Sequence, residues 1–164
     1  MKEAAGVFLA CLAISIVSPA PFGHPAAGAQ SEPALPHRAE VVPGEIFVTV
    51  YAHDIPDKDD RVPCWSFVSE GFERYGQHEL VLTLRRSRGK SWRDYTEDLF
   101  GLLSLVLDQN KKGVQINAYG GLVMDLQGGF MGQKGDWGLI CIPAEMFDGV
   151  EVPFQALAAV LVRD

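Results

Sequence analysis

The stretch from Pro63 to Arg86, PCWSFVSEGFERYGQHELVLTLRR, constrains this chain more than any other. Its last part alternates strictly. Leu80, Leu82 and Leu84 fall on one side of an extended backbone, and Glu79, Val81, Thr83 and Arg85 on the other. That is the pattern of a strand with one face on a core and the other nearer water. Upstream, Cys64 to Ser69 is apolar on both faces, with Trp65 and Phe67 opposite Cys64, Ser66 and Val68, so it reads as a central strand. Gly71 and Gly76 bracket a turn between the two. A chain with this centre must build a sheet.

A helix follows. Trp92, Tyr95, Leu99, Leu102, Leu103 and Val106 recur at three and four residues, which predicts a helix over Ser91–Asn110 with one apolar stripe. Ser91 can cap its start, Asp94 complements the dipole there, and Gly113 can take the left-handed stop. Gly101 inside the helix marks close packing against the sheet. Glu45–Ala52 (EIFVTVYA) reads as a strand, and His53–Val62 (HDIPDKDDRV) as a polar loop around Pro56. Beyond the helix come the short apolar pieces Val114–Tyr119, Leu122–Leu126, Gly138–Ile142 and Phe154–Val162, the last two as strands. The expected fold is α/β, in the α+β sense: a mixed, largely antiparallel sheet with one main helix packed on its leucine face.

The N-terminus reads as a secretory signal peptide over 1–29. Lys2 precedes an apolar core from Ala4 to Val17, and Ala27-Gly28-Ala29 offers a small-residue cleavage site before Gln30. The apolar run is short for a membrane span and is followed by Pro19, Pro21 and Pro25, so no stable membrane insertion is expected after cleavage. An uncleaved anchor, or lipid attachment at Cys11, are the rival readings. Residues 30–44, rich in Pro, Ala and Glu, read as a flexible linker, and 45–164 as the folded domain. The domain is large enough to bury a core without disulfides.

Export makes the remaining cysteines informative. Cys64 and Cys141 are an even pair that a bridge could join, stabilising by about 4 kcal/mol through loop closure. The alternative is two buried thiols.

Chemical signatures are sparse. The net charge is −7, which argues against nucleic acid as a partner, because phosphate neutralisation needs a basic surface. Cys64-Trp65 lacks the flanking residues of a papain-type nucleophile, and the last histidine, His78, follows too closely. Ser69-Glu70-Gly71 has Phe67 where a nucleophile elbow needs glycine. The glycine-rich run Gly128–Gly138 (GGFMGQKGDWG) has no Gly-Lys-Ser/Thr, so it is no phosphate-binding loop, although it suits a lid. Asp54, Asp57, Asp59 and Asp60 cluster beside His53 but lack the glycine and closing glutamate of a calcium loop. His24, His37, His53 and His78 have no metal-ligand spacing. No catalytic, metal or cofactor residue is therefore assigned, and Glu70, Glu73 and Glu79 are unranked as acid–base candidates.

The pattern from Pro63 to Arg86 resembles the suppressor of fused-like domain family. The similar parts are the aromatic strand Cys64-Trp65-Ser66-Phe67-Val68-Ser69-Glu70-Gly71, the step Gly76-Gln77, and the alternating strand opening at Glu79. The Pro-Cys-Trp start and the Gly-Gln-x-Glu step particularly resemble the related C-terminal domain of FYVE-type Smad anchor proteins. A helix with an early aromatic, as in Trp92–Leu107, and a late hydrophobic strand, as in Pro153–Val162, complete the likeness. The resemblance implies a mixed α/β domain that binds other proteins without catalysis. Eukaryotic members sequester transcription factors or act as scaffolds, and bacterial members serve immunity against toxins. The expected function is thus an exported, secreted or periplasmic protein-binding domain, scaffold or immunity-type, that masks a protein partner by occlusion. The alternative is a small exported enzyme or ligand-binding protein using Gly128–Gly138, with Glu70, Glu73, Asp125 or Asp136 converging with a histidine.

Overall fold

In a computed structural model, residues 35–57, 60–124, 130, 137–146 and 148–163 are described. The expected signal peptide lies outside them, as does the linker up to residue 34. The strands are β1 (His37–Val42), β2 (Ile46–Asp57), β3 (Asp60–Glu70), β4 (Leu80–Arg85), β5 (Gly121–Met124), β6 (Trp137–Pro143) and β7 (Leu157–Arg163), and the helix is α1 (Thr96–Lys111). They form one seven-stranded sheet in the order β1-β2-β3-β4-β7-β6-β5. Neighbours run antiparallel except β4 and β7, which are parallel and joined at Leu80↔Leu157 and Val81↔Ala158. The mixed α+β architecture is as the sequence pattern implies.

The helix begins as the residues dictate. The Ser91 hydroxyl accepts from the Arg93 N–H at 3.2 Å, and Asp94 accepts from the Ser91 N–H at 2.7 Å. One turn of 3-10 helix, Trp92–Tyr95, leads into α1, and Gly113 ends it at φ +83°. Every member of the predicted stripe is buried, together with Leu107. They pack against Ile46, Val48 and Val50 of β2, Trp65 and Phe67 of β3, Leu80 and Leu82 of β4, and Leu139 and Cys141 of β6. Each buried leucine there contributes about 1.5–3 kcal/mol relative to exposure. Gly101 plays no part in this. It lies on the exposed side of α1, and a Cβ placed on it meets nothing within 4 Å. Gly101→Ala is therefore expected to raise stability by about 0.5–1 kcal/mol in a urea melt, by helix propensity and a less flexible unfolded chain. Close packing at Gly101 would instead make the change destabilising.

Three other expectations are corrected. The linker over 30–44 contains β1, which pairs with Ile46–Val50 of β2, so the folded unit starts ahead of residue 45. Its charges, Arg38 and Glu40, point to solvent from an edge strand, where charge protects against mispairing. The polar loop over His53–Val62 is mostly strand, because β2 and β3 continue pairing out to Asp57↔Asp60. This hairpin tip overhangs the sheet, since β1 reaches only Val50. Pro56 sits where β2 has no second neighbour to need its missing N–H. Finally, the Val81 side of β4 is not simply wet. Val81, Val68 and Tyr51 are buried under Val150 and Ala156, from the connection between β6 and β7.

Cys64 and Cys141 do not form a bridge. They lie on β3 and β6, separated by β4 and β7, about 14 Å at strand spacing. A disulfide needs Cα atoms within about 7 Å. Cys141 packs in the helix-side core, whereas Cys64 alternates with Trp65 onto the other face. Burial pushes the Cys141 thiol up to about 11.

Candidate functional site

The polar residues between Ser69 and Glu79 hold the backbone in place. The Glu79 carboxylate is buried and accepts from the Ser69 hydroxyl at 2.6 Å, the Gly71 N–H at 2.7 Å and the Glu73 N–H at 3.3 Å. Ser69 in turn accepts from the Leu80 N–H at 2.7 Å. This ties the end of β3, the 3-10 turn Phe72–Tyr75 and the start of β4 together. Gln77 does the same for the chain beyond the helix. Its amide accepts from the Ile116 N–H at 2.7 Å and donates to the Ile116 carbonyl at 2.9 Å, imitating a strand partner. These groups are consumed by the fold.

A second polar array crosses the sheet. His53 Nε2 lies 2.8 Å from Ser66 Oγ, which lies 2.6 Å from Thr83 Oγ1. No local pattern marks it, because the three residues meet only through the register of β2, β3 and β4. A serine beside a histidine is the geometry of an activated nucleophile. Ser66, however, is 0% exposed, and desolvation lowers the His53 pKa despite the nearby Asp54 charge. The array satisfies polar groups within the sheet face, where no substrate reaches the hydroxyl.

The other sequence candidates are scattered. Glu70 makes a two-pronged ion pair with Arg38, at 3.1 and 2.9 Å. The Glu73 side chain is exposed. Asp54, Asp57 and Asp60 lie along the exposed hairpin tip, and Asp59 lies outside the described residues. Asp125 and Asp136 lie outside them too, as does Gly128–Gly138 apart from Phe130, Trp137 and Gly138. Phe130 and Trp137 are both buried and meet in a tilted pair with ring centroids 5.4 Å apart. Among the described residues no group of acidic, His and Cys side chains is placed to hold a metal, and no helix is long and apolar enough to cross a membrane.

What stands out instead is a groove of about 540 Å³ at one end of the sheet. Pro143, Ala144 and Met146, at and beyond the end of β6, line it together with Val152–Leu157, leading into β7, and with His78 and Ala118. The connection 144–156 is pinned at its base, where the Ala144 N–H donates to the Ala156 carbonyl at 2.9 Å. Val150 and Ala156 bury their side chains over the sheet, and Tyr51 sits beneath Glu151, its phenol pKa raised by burial and then by that negative charge. Between these anchors, other side chains of the connection are left in water. Phe154 is 88% exposed, Met146 88%, and Tyr119, beside Ala118, 79%.

The display is built in. The Ala156 N–H donates to the Pro153 carbonyl at 3.1 Å, closing a turn with Phe154 at its corner. Gln155, the next residue, has φ +61°, and Tyr119 has φ +63°. Non-glycine residues in this region cost about 1 kcal/mol or more each, and such strain concentrates at functional positions. Phe154 reads in the sequence as part of the final strand, which begins only at Leu157. Asp148-Gly149 and Pro153 are turn signals that could have separated it. The chain matches no known family model and no curated protein.

Proposed function

We propose that this chain is an exported, secreted or periplasmic protein-binding domain without catalysis, of suppressor of fused-like type, in a scaffold or immunity-type role. It acts by occlusion: a segment of the partner lies in the groove between His78, Met146 and Phe154 and is masked there. The observation that carries the reading is the exposure of Phe154 and Met146 in one concavity, on a pinned connection whose Gln155 is left-handed, with the exposed Tyr119 next in sequence to the groove residue Ala118. Large apolar side chains left in water at adjacent positions mark interaction surfaces, since nothing in the fold recovers their hydration cost. Aromatic and methionine side chains are also the residue types that anchor protein interfaces. The resemblance at Pro63–Arg86 supports the same reading at the level of family.

The test is a pull-down from the exported fraction of the native host, comparing the chain with a Met146→Ser/Phe154→Ser double variant. Both side chains lie in solvent, so the variant should unfold like the parent in a thermal melt. A partner is expected to be retained by the parent and depleted at least tenfold by the variant. Equal recovery by the two proteins would rule the groove out.

A further inference from the structure

The connection that walls the groove, AEMFDGVEVPFQA from Ala144 to Ala156, carries Glu145, Asp148 and Glu151 and no basic residue. The sequence has no Lys or Arg anywhere from Gly138 to Val162. All three carboxylates are exposed, and neither ion pair among the described residues uses them, since Arg38 pairs with Glu70 and Lys111 with Glu45. Among the described residues, the rest of the lining is His78, Ala118, Pro143 and Leu157, none of them acidic or a lysine or arginine. The connection that supplies much of the apolar concavity thus carries three exposed negative charges and no positive one.

Resting on the docking reading above, we infer that the groove takes a cationic amphipathic stretch of polypeptide. An apolar side chain of that stretch seats against Met146, Phe154 and the Pro143–Ala144 wall. Its lysines or arginines face Glu145, Asp148 and Glu151. The charge and the cavity act at different steps. Carboxylates on the rim steer the encounter and choose the sign of the partner, within a screening length of about 8 Å at physiological salt. The apolar lining, Met146, Phe154, Pro143 and Ala144, supplies the desolvated contact that retains it. An acidic partner would have to bring like charges together around an apolar contact, which negative rim charges oppose.

The experiment uses the full chain and three labelled peptides in fluorescence anisotropy. They share one leucine pattern at helical spacing and differ only in carrying Lys, Gln or Glu at the polar positions. The Lys peptide is expected to bind about tenfold more tightly than the Gln peptide at low salt, and the Glu peptide more weakly than either. The Lys preference should vanish in about 0.5 M salt. The triple variant Glu145→Gln/Asp148→Asn/Glu151→Gln should lose that preference while keeping Gln-peptide binding, and Phe154→Ser should weaken Lys and Gln peptides alike. A Lys peptide that binds no better than the Gln peptide, or a triple variant that keeps the preference, overturns the charge assignment and leaves the groove standing if Phe154→Ser still weakens binding. If Phe154→Ser changes nothing for any peptide, the groove reading falls with it.

Discussion

Gly71→Ala is expected to cost about 4 kcal/mol or more, enough to remove most of the stability of a domain that has about 5–15 kcal/mol in total. Two independent faults add up. Gly71 has φ +121°, a conformation closed to residues with a side chain. A Cβ there would also stand 2.2 Å from the carbonyl oxygen of Glu45. That oxygen belongs to backbone at the entry to β2, so it can retreat only by dragging Ile46, whose side chain is fully buried in the helix-side core. Gly89→Ala is the matched control. Gly89 also has positive φ, at +75°, but its Cβ would meet nothing within 4 Å. Its cost should be the conformational part alone, about 1–2 kcal/mol. Urea denaturation of the two variants separates the terms. A Gly71→Ala protein within about 1 kcal/mol of Gly89→Ala would mean that β2 yields far more easily than its burial implies.

Glu79→Ala should be nearly as damaging, at about 3–5 kcal/mol. Removing the carboxylate strands three donors at once: the Ser69 hydroxyl, the Gly71 N–H and the Glu73 N–H. A buried donor left without an acceptor costs about 1–3 kcal/mol, and the Glu73 N–H, being only part-buried, can reach water in part. Glu79→Gln keeps one carbonyl oxygen of the right reach, so it should recover roughly half of the loss. A denaturation series of the parent, Gln and Ala forms is expected to rank in that order. Equal stability of the Gln and Ala forms would show that shape, and not hydrogen bonding, is what Glu79 supplies.

Both residues belong to the segment that carries the family likeness, which is why that segment says more about fold than about binding. What could be read from the sequence was what local physics decides. The caps Ser91 and Asp94, the 3.6-residue stripe from Trp92 to Val106 and the alternation of Leu80, Leu82 and Leu84 each place an element without reference to the rest of the chain. The misreadings are all cases where a distant strand decides. His37–Val42 becomes β1 because β2 offers it an edge. The Asp-rich tip stays extended because β3 pairs with it. Val81 becomes buried because Val150 and Ala156 return over it. The groove was invisible for the same reason: the pairing of β6 with β7 brings Pro143 to Phe154, and the parallel pair of β4 and β7 brings the distant His78 to both.

That parallel pair has a mechanical consequence. β1 to β4 form a consecutive antiparallel run, and β5 to β7 form a second antiparallel group. Among the described residues the sheet joins the two by the pairs Leu80↔Leu157 and Val81↔Ala158, and by the Leu157 N–H donating to the Glu79 carbonyl at 2.8 Å. The groove lies across this seam, with His78 on one side and Pro143 and Met146 on the other. A segment seated there would hold both groups of strands at once. By mass action its binding free energy would add to the stability of the weakest joint in the sheet. The occupant would thus serve as a staple for the domain that masks it.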